Sequence, residues 1–294
     1  MKFFFKRLSI FIAIIICFVA GMIFSTKYFA LANFPFKQEN IHTLILGDSH
    51  TQCSINDTLL PNSLNLSESA DTYFYSYVKL KRMLKHNPQI NTLILGYANF
   101  NITDNQDQWL QSENINSFKL PIYFFLFDQN DFSEFAKINP KFFVEFSGNI
   151  LKRNFSHLYR IFTQEKINEF GIGGFLALKK QMEKKEKSIN NKNIKSTWKQ
   201  SEIDIFYLKK INDLCKIKNV KLILIATPTQ EHSVSTHNSK QVAFWKSQLK
   251  EASYLEFSDY KLENDNFADN SHLNAKGAAN FTTAIKQMIV NKYK

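Results

Sequence analysis

The chain has 294 residues, 44% hydrophobic and 21% charged, with three cysteines and a net charge of +11. That much apolar sequence can bury one large core or two small ones, which excludes a disordered chain. Cys17, Cys53 and Cys215 are too few and too scattered for a disulfide framework, and no pair has metal-ligand spacing. The positive charge leaves nucleic acid, anionic lipid or an acidic polymer as partners.

Lys2, Lys6 and Arg7 precede an apolar run from Leu8 to Phe24, broken only by Ser9 and Gly21. Its 17 residues lie at the short end of a membrane span. They also exceed the usual signal core of about 7–15 residues, so an uncleaved anchor over residues 1–32 is expected. Ala30-Leu31-Ala32 has the small-x-small form that a signal peptidase reads, which keeps a cleaved signal as the alternative. Only Lys27 follows the run closely, and the positive-inside rule puts the body of the chain outside the cytoplasm. Either reading exports the chain to the periplasm or cell surface. For an exported chain, anionic lipid or an acidic polymer is the better partner and nucleic acid drops out.

Three apolar runs read as strands: His42–Gly47 (HTLILG), Asn91–Tyr97 (NTLILGY) and Val220–Pro228 (VKLILIATP). None alternates with period two, as expected of strands buried on both faces of a parallel sheet. Before the second run, Tyr73, Tyr77, Leu80 and Leu84 recur at helical spacing and Pro88 marks the stop. Before the third, Ile203, Phe206, Ile211, Leu214 and Ile217 suggest another amphipathic helix. Ser253–Asp259 is a weaker strand. The last helix starts at Asn274, a good cap residue, with Ala278, Phe281, Ile285, Met288 and Ile289 along one face. Strands alternating with helices predict a doubly wound α/β domain over residues 33–294. From about 103 to 200 the pattern becomes aromatic-rich without strand alternation, which reads as a mostly helical insertion. Within it, the lysine-rich stretch Leu178–Lys199 alternates basic and acidic residues and reads as a solvated helix or linker.

The first strand runs directly into Gly47-Asp48-Ser49-His50. In an open α/β sheet, ligands bind beyond the carboxyl ends of the strands, and Ser49 is placed there. A serine hydroxyl becomes a good nucleophile only when an oriented base takes its proton. Near the other end of the chain, Asp269 and His272 stand three residues apart just before the last helix. At that spacing the carboxylate can hold one imidazole nitrogen while the other faces a serine. Taken alone, the pair could equally be a turn cap beside a helix start.

A strand ending in Gly-Asp-Ser, followed late in the chain by Asp-x-x-His before the last helix, resembles the SGNH (GDSL-like) hydrolase superfamily. The resemblance implies a flavodoxin-like three-layer α/β/α fold, with Ser49 as nucleophile, His272 as general base and Asp269 as its orienting partner. It also implies an oxyanion hole made by amides near Ser49, by a backbone amide after the second strand, and by an asparagine after the third. In the second of these blocks no glycine is available, so Ser67 or Ser69 is expected to offer the amide. In the third, the family's Gly-x-Asn-Asp reads Gly96-Tyr97-Ala98-Asn99, so Asn99 is the expected donor and Asn101 the fallback. His50 is expected to line the pocket or begin a helix, and Asp48 to support Ser49 in its turn. Asp48-Ser49-His50 also matches the Asp-x-His opening of calcineurin-like metallophosphoesterases, but the later Gly-Asp and Gly-Asn-His motifs of that family are absent. No metal and no cofactor are expected.

An anchor, an exported SGNH-like domain and a helical insertion together resemble bacterial proteins that esterify or de-esterify cell-envelope polymers. Some of those act beside a membrane-bound O-acyltransferase. The resemblance therefore implies acyl-ester chemistry on an envelope glycan, as a hydrolase or an O-acyltransferase. The alternative is a non-catalytic glycan-binding or assembly protein on the same scaffold, since fold does not fix function.

Overall fold

A computed structural model describes residues 1–182, 199–230 and 238–292, so part of the lysine-rich stretch Leu178–Lys199 lies outside the described residues. The chain divides into two compact units. A helical unit comprises Met1–Pro35 and Leu110–Phe170, and a sheet unit comprises Phe36–Trp109 and Gly171–Lys294.

The helical unit is built from α1 (Lys2–Asn33), the last two residues of α4 (Asp107–Gln111), α5 (Glu113–Tyr123), α6 (Gln129–Ile138) and α7 (Phe142–Phe162). By length and composition α1 is apolar enough to cross a membrane. Its first half is exposed along its whole surface, whereas from Val19 onward one side is partly covered, Ile23 and Ala30 are fully buried, and Tyr28 and Phe29 stay exposed. Two polar side chains secure that second half. The buried Asn154 amide of α7 donates to Ile23 O and to Thr26 Oγ1, both at 3.0 Å, and Lys27 Nζ donates to Phe127 O at 2.7 Å. Around them lies an aromatic core in which the Phe24 ring meets Phe124, Phe132 and Phe143. Many of the phenylalanines that broke the strand pattern, among them Phe124, Phe125, Phe127, Phe135 and Phe142, thus fill the interior of a helix bundle.

The sheet unit carries β1 (Thr43–Leu46), α2 (Ser49–Ser54), β2 (Ser63–Asn65), α3 (Tyr73–His86), β3 (Thr92–Gly96), α8 (Glu202–Ile217), β4 (Lys221–Ala226), α9 (Asn238–Gln248), β5 (Ser253–Glu256) and α10 (Ala275–Lys292). All five strands are parallel, in the order β2-β1-β3-β4-β5. This is the flavodoxin-like arrangement, and its strand order reverses between β1 and β3, where ligands characteristically bind. The register explains the repeated Leu-Ile-Leu. Ile45, Ile94 and Ile223 align in one row, flanked by the rows Leu44, Leu93, Leu222 and Leu46, Leu95, Leu224. Because side chains alternate between faces, the isoleucines fall on one side and the leucines on the other. The isoleucine row shares a core with Phe267, Leu273 and, from α10, Phe281 and Ile285.

Two elements differ from the sequence expectations. β2 is only three residues long, too short to show a period. In α8 the buried face is Asp204, Tyr207, Leu208, Ile211, Asn212 and Cys215, while Phe206 and Ile217 are exposed. The reason is that Asp204 turns inward: its Oδ1 accepts the Tyr73 amide at 2.9 Å at the start of α3. An apolar stripe cannot reveal a helix face chosen by a buried carboxylate.

Residues 171–182 form no regular element and run as a strap along the sheet unit. Gly174 N donates to Ser67 O, Leu176 N to Gln52 O, and Met182 N to Phe267 O, while Ala275 N donates to Leu178 O. Gly173 has φ +135 and lies so close to Leu66 that a Cβ would stand 2.2 Å from Leu66 O. Buried Lys79 completes the seam, donating to Leu66 O, to Ile172 O at 3.0 Å and to Asp71 Oδ2 at 2.5 Å.

Candidate active site

β1 ends in Gly47, and the chain turns sharply into α2. Asp48 caps that helix, its Oδ1 accepting the His50 amide at 2.9 Å, and Ser49 is the first helical residue. The turn is tight because both strand ends are glycine. A Cβ on Gly47 would lie 2.6 Å from Thr51 Oγ1, and one on Gly96, at the end of β3, only 2.2 Å from the same atom. Thr51 therefore sits in a notch formed by two bare strand ends, and this sets how closely α2 approaches the sheet.

From the far end of the chain, the loop 267–273 brings the second part of the site. An isolated bridge pairs Phe267 with Leu273, and Ala268 N donates to His272 O at 2.9 Å. Asn274 pins the loop from below, donating to Asp265 O and Phe267 O. Within it, Asp269 Oδ1 accepts the amides of Ser271 at 2.8 Å and His272 at 2.9 Å. Both carboxylate oxygens lie 3.0 Å from His272 Nδ1, and His272 Nε2 lies 2.8 Å from Ser49 Oγ. Nδ1 beside a carboxylate carries the proton, which leaves Nε2 to accept from the serine hydroxyl.

The electrostatics keep the carboxylates charged. Burial alone would raise the pKa of Asp269, but the Ser271 amide and the His272 ring and amide outweigh it and hold the group below the ordinary carboxylate value. Asp48 is similarly opposed by burial, yet His50 and the Asn101 amide hold it below its usual value. Reciprocally, Asp48 lifts His50 above the usual histidine value despite burial. His50 Nδ1 stands 3.3 Å from Asp48 Oδ1, an ion-pair distance rather than an aligned hydrogen bond. The His50 ring rests between Phe100 and His272, with centroids 4.5 and 4.9 Å away. Cys53, one turn beyond Ser49, is no rival nucleophile: burial pushes its thiol up to about 12.

The asparagines after β3 separate in role. Asn101 is buried and donates to Asp48 Oδ2 at 2.7 Å while accepting the Ala98 amide at 2.8 Å, so it positions Asp48. Asn99 begins the short 3-10 helix Asn99–Ile102 and is half-buried. Ser67 is a correction. Its amide donates to Asn65 Oδ1 at 2.8 Å, because the Asn65 carboxamide folds back into the loop. Ser69 N is taken by Gln52 Oε1 at 2.9 Å, and Glu68 N by Gly47 O at 3.0 Å. Neither serine amide is therefore free to meet an oxyanion. By contrast, the Ser49 amide has no acceptor among the described residues.

Gln52 was missed from sequence. From α2 it binds Ser69 through Oε1 and Glu68 through Nε2, and so ties the nucleophile's helix to the loop after β2. The Thr51 notch was missed too, although the repeated Leu-Ile-Leu-Gly at Leu44–Gly47 and Leu93–Gly96 signals two strands that end alike. Among the described residues, no three His, Cys, Asp or Glu side chains converge as a metal site requires.

Comparison with known proteins adds little. No curated protein matches the chain. One solved structure, named "a putative platelet activating factor" from Streptococcus pneumonia, is 9% identical over 96% of this chain and 99% of its own, with a TM-score of 0.42, too remote to carry an argument. A protein-family model matches residues 153–294, a region that includes Asp269 and His272 and stops short of Ser49.

Proposed function

We propose that the chain is a serine-dependent acyl-ester hydrolase or O-acyltransferase of the SGNH type, held to the membrane by α1 and acting on an acylated glycan of the cell envelope. The observation that carries this reading is the relay in which Ser49 Oγ, His272 and Asp269 stand in hydrogen-bond sequence at 2.8 and 3.0 Å. Ser49 attacks the ester carbonyl as His272 Nε2 takes the hydroxyl proton, and Asp269 stays ionised and holds the imidazolium. Negative charge on the former carbonyl oxygen is met by the Ser49 amide and by Asn99. Collapse of the tetrahedral species expels the alcohol, which receives the proton from His272 and leaves an acyl-serine. Water or a sugar hydroxyl then takes the acyl group by the reverse sequence, giving hydrolysis or transfer.

The anchor is read as retained and the sheet unit as extracytoplasmic, with a membrane-bound O-acyltransferase as an acyl supplier. Retention is supported by packing, because cleavage after Ala32 would take the buried Ile23 and Ala30 out of the helical unit's interior and remove the contacts of Phe24 and Thr26 with α7. One observation favours a binding protein on the same scaffold instead: the amides of Ser67, Glu68 and Ser69 are all committed within the protein. Treatment with a fluorophosphonate decides between them. A catalytic serine gives a covalent adduct that maps to the Ser49 peptide and is lost in Ser49→Ala. An unlabelled, folded wild-type chain would refute the enzyme reading.

A further inference from the structure

We infer that the helical unit is seated in the surface of the bilayer, with the outward aromatic face of α7 in the lipid headgroup layer. This rests on reading α1 as a retained membrane anchor. The buried stripe of α7 is Phe142, Phe146, Ile150, Asn154 and His157. On the opposite side Phe155, Tyr159 and Phe162 are 48%, 66% and 86% exposed. Their spacing of four and then three residues puts them on one face, where a helix in water carries polar groups. Lys152, one turn earlier on that face, is exposed as well and can extend to lipid phosphates. Val144 and Phe118 of the same unit are also exposed.

What covers this face follows from α1. The apolar run ends at Phe24, but the bundle's cover on α1 begins at Val19. The bundle therefore meets α1 over the six residues Val19–Phe24 of the segment that lies in the membrane, roughly 8 Å from first to last at the helical rise. A bundle held wholly in water could not reach there, whereas amphipathic helices enter the interface by about 5–10 Å. The bonds from Asn154 to Ile23 O and Thr26 Oγ1 fix the level of its neighbour Phe155. That level is where the apolar run gives way to Lys27, the depth at which aromatic rings gather at membrane surfaces. The overlap with the apolar run favours lipid over a second copy or another protein as the occupant.

The test uses the full-length chain in phosphatidylcholine–phosphatidylglycerol vesicles, with tryptophan introduced as Phe155→Trp, Phe162→Trp or, inside the apolar run, Phe11→Trp. The wild-type signal is subtracted in each case. Lipids brominated near the headgroup end of their chains should remove about half of the added fluorescence at positions 155 and 162, with iodide in the water removing little. If iodide quenches those positions as it does free N-acetyltryptophanamide, the face lies in water and the inference fails. If both quenchers fail, protein covers the face and the inference also fails. Should Phe11→Trp escape the brominated lipid, the anchor reading falls first and takes the inference with it.

Discussion

The notch around Thr51 makes the position of the nucleophile depend on a residue far from it in sequence. In Gly96→Ala the new Cβ would lie 2.2 Å from Thr51 Oγ1, where ordinary contact begins at 3.4 Å. Gly96 is paired with Ile225 of β4 and its carbonyl accepts from the buried Tyr73 hydroxyl at 3.0 Å, so α2 is the element that yields, by about 1 Å. Ser49 lies on the same turn of α2 and bonds His272 at 2.8 Å, a contact that does not survive such a shift. Overpacking of this kind costs about 1–3 kcal/mol of stability, whereas a 1 Å misplacement of a reacting group costs on the order of 100-fold in rate. The variant is thus expected to fold, with a melting temperature a few degrees lower, and to react with a fluorophosphonate about 100-fold more slowly. Thr51→Ala removes the clashing oxygen and leaves Cβ at 3.4 Å, an ordinary contact, so the double variant should regain most of the reactivity. The pair forms a double-mutant cycle, read by stopped-flow labelling and thermal unfolding together. Wild-type labelling of Gly96→Ala, or a double variant as slow as the single, would refute the coupling.

Further outcomes follow from the same geometry. Asp269→Asn keeps the loop but weakens the hold on His272 Nδ1, so labelling should fall less than in His272→Ala, and equal losses would mean that Asp269 does not orient the ring. Asn99→Ala should slow acylation on the order of 100- to 1000-fold with little change in substrate affinity or melting temperature, and a purely thermal effect would restrict Asn99 to the turn. Asp204 is pushed up to about 7, first by burial and then by Asp107. Its folded-state pKa lies above the unfolded value, so the folded chain binds the extra proton between about pH 4 and 7 and loses stability as pH rises through that window. Asp204→Asn removes the titration, and its stability relative to wild type should improve on going from pH 5 to pH 8, measured by urea unfolding. A pH-independent difference would show that Asp204 does not titrate in this range.

The parts of the fold that the sequence made legible are those where one residue type repeats along an element. The Leu-Ile-Leu runs mark β1, β3 and β4 because both of their faces are covered, and Ala278, Phe281 and Ile285 mark α10 because only one of its faces is. β2 escapes because three residues hold no period, and the face of α8 misleads because Asp204 is buried to bond α3. At the site, Asp269 and His272 are close in sequence, and the short loop between them forces their contact. The pairings of Asn101 with Asp48 and of Ser69 with Gln52 span 53 and 17 positions and leave no local pattern. The Ser67 amide was misjudged because the competing acceptor, the Asn65 side chain at the end of β2, folds back onto the loop, which no local sequence pattern signals.

The pairing of β3 with β4 also sets a timetable for making the protein. Thr92 aligns with Lys221, 129 positions later, because the helical insertion is synthesised between them. Synthesis at roughly 5–20 residues per second leaves the edge of β3 without its neighbour for roughly 6 to 26 seconds. During that time Leu93, Ile94 and Leu95 present unpaired backbone groups flanked by apolar side chains, the kind of edge that recruits strands from other chains. A fragment ending at Phe170 carries that open edge permanently, so trimming this chain from its carboxyl side should make it aggregate more readily than the full-length chain.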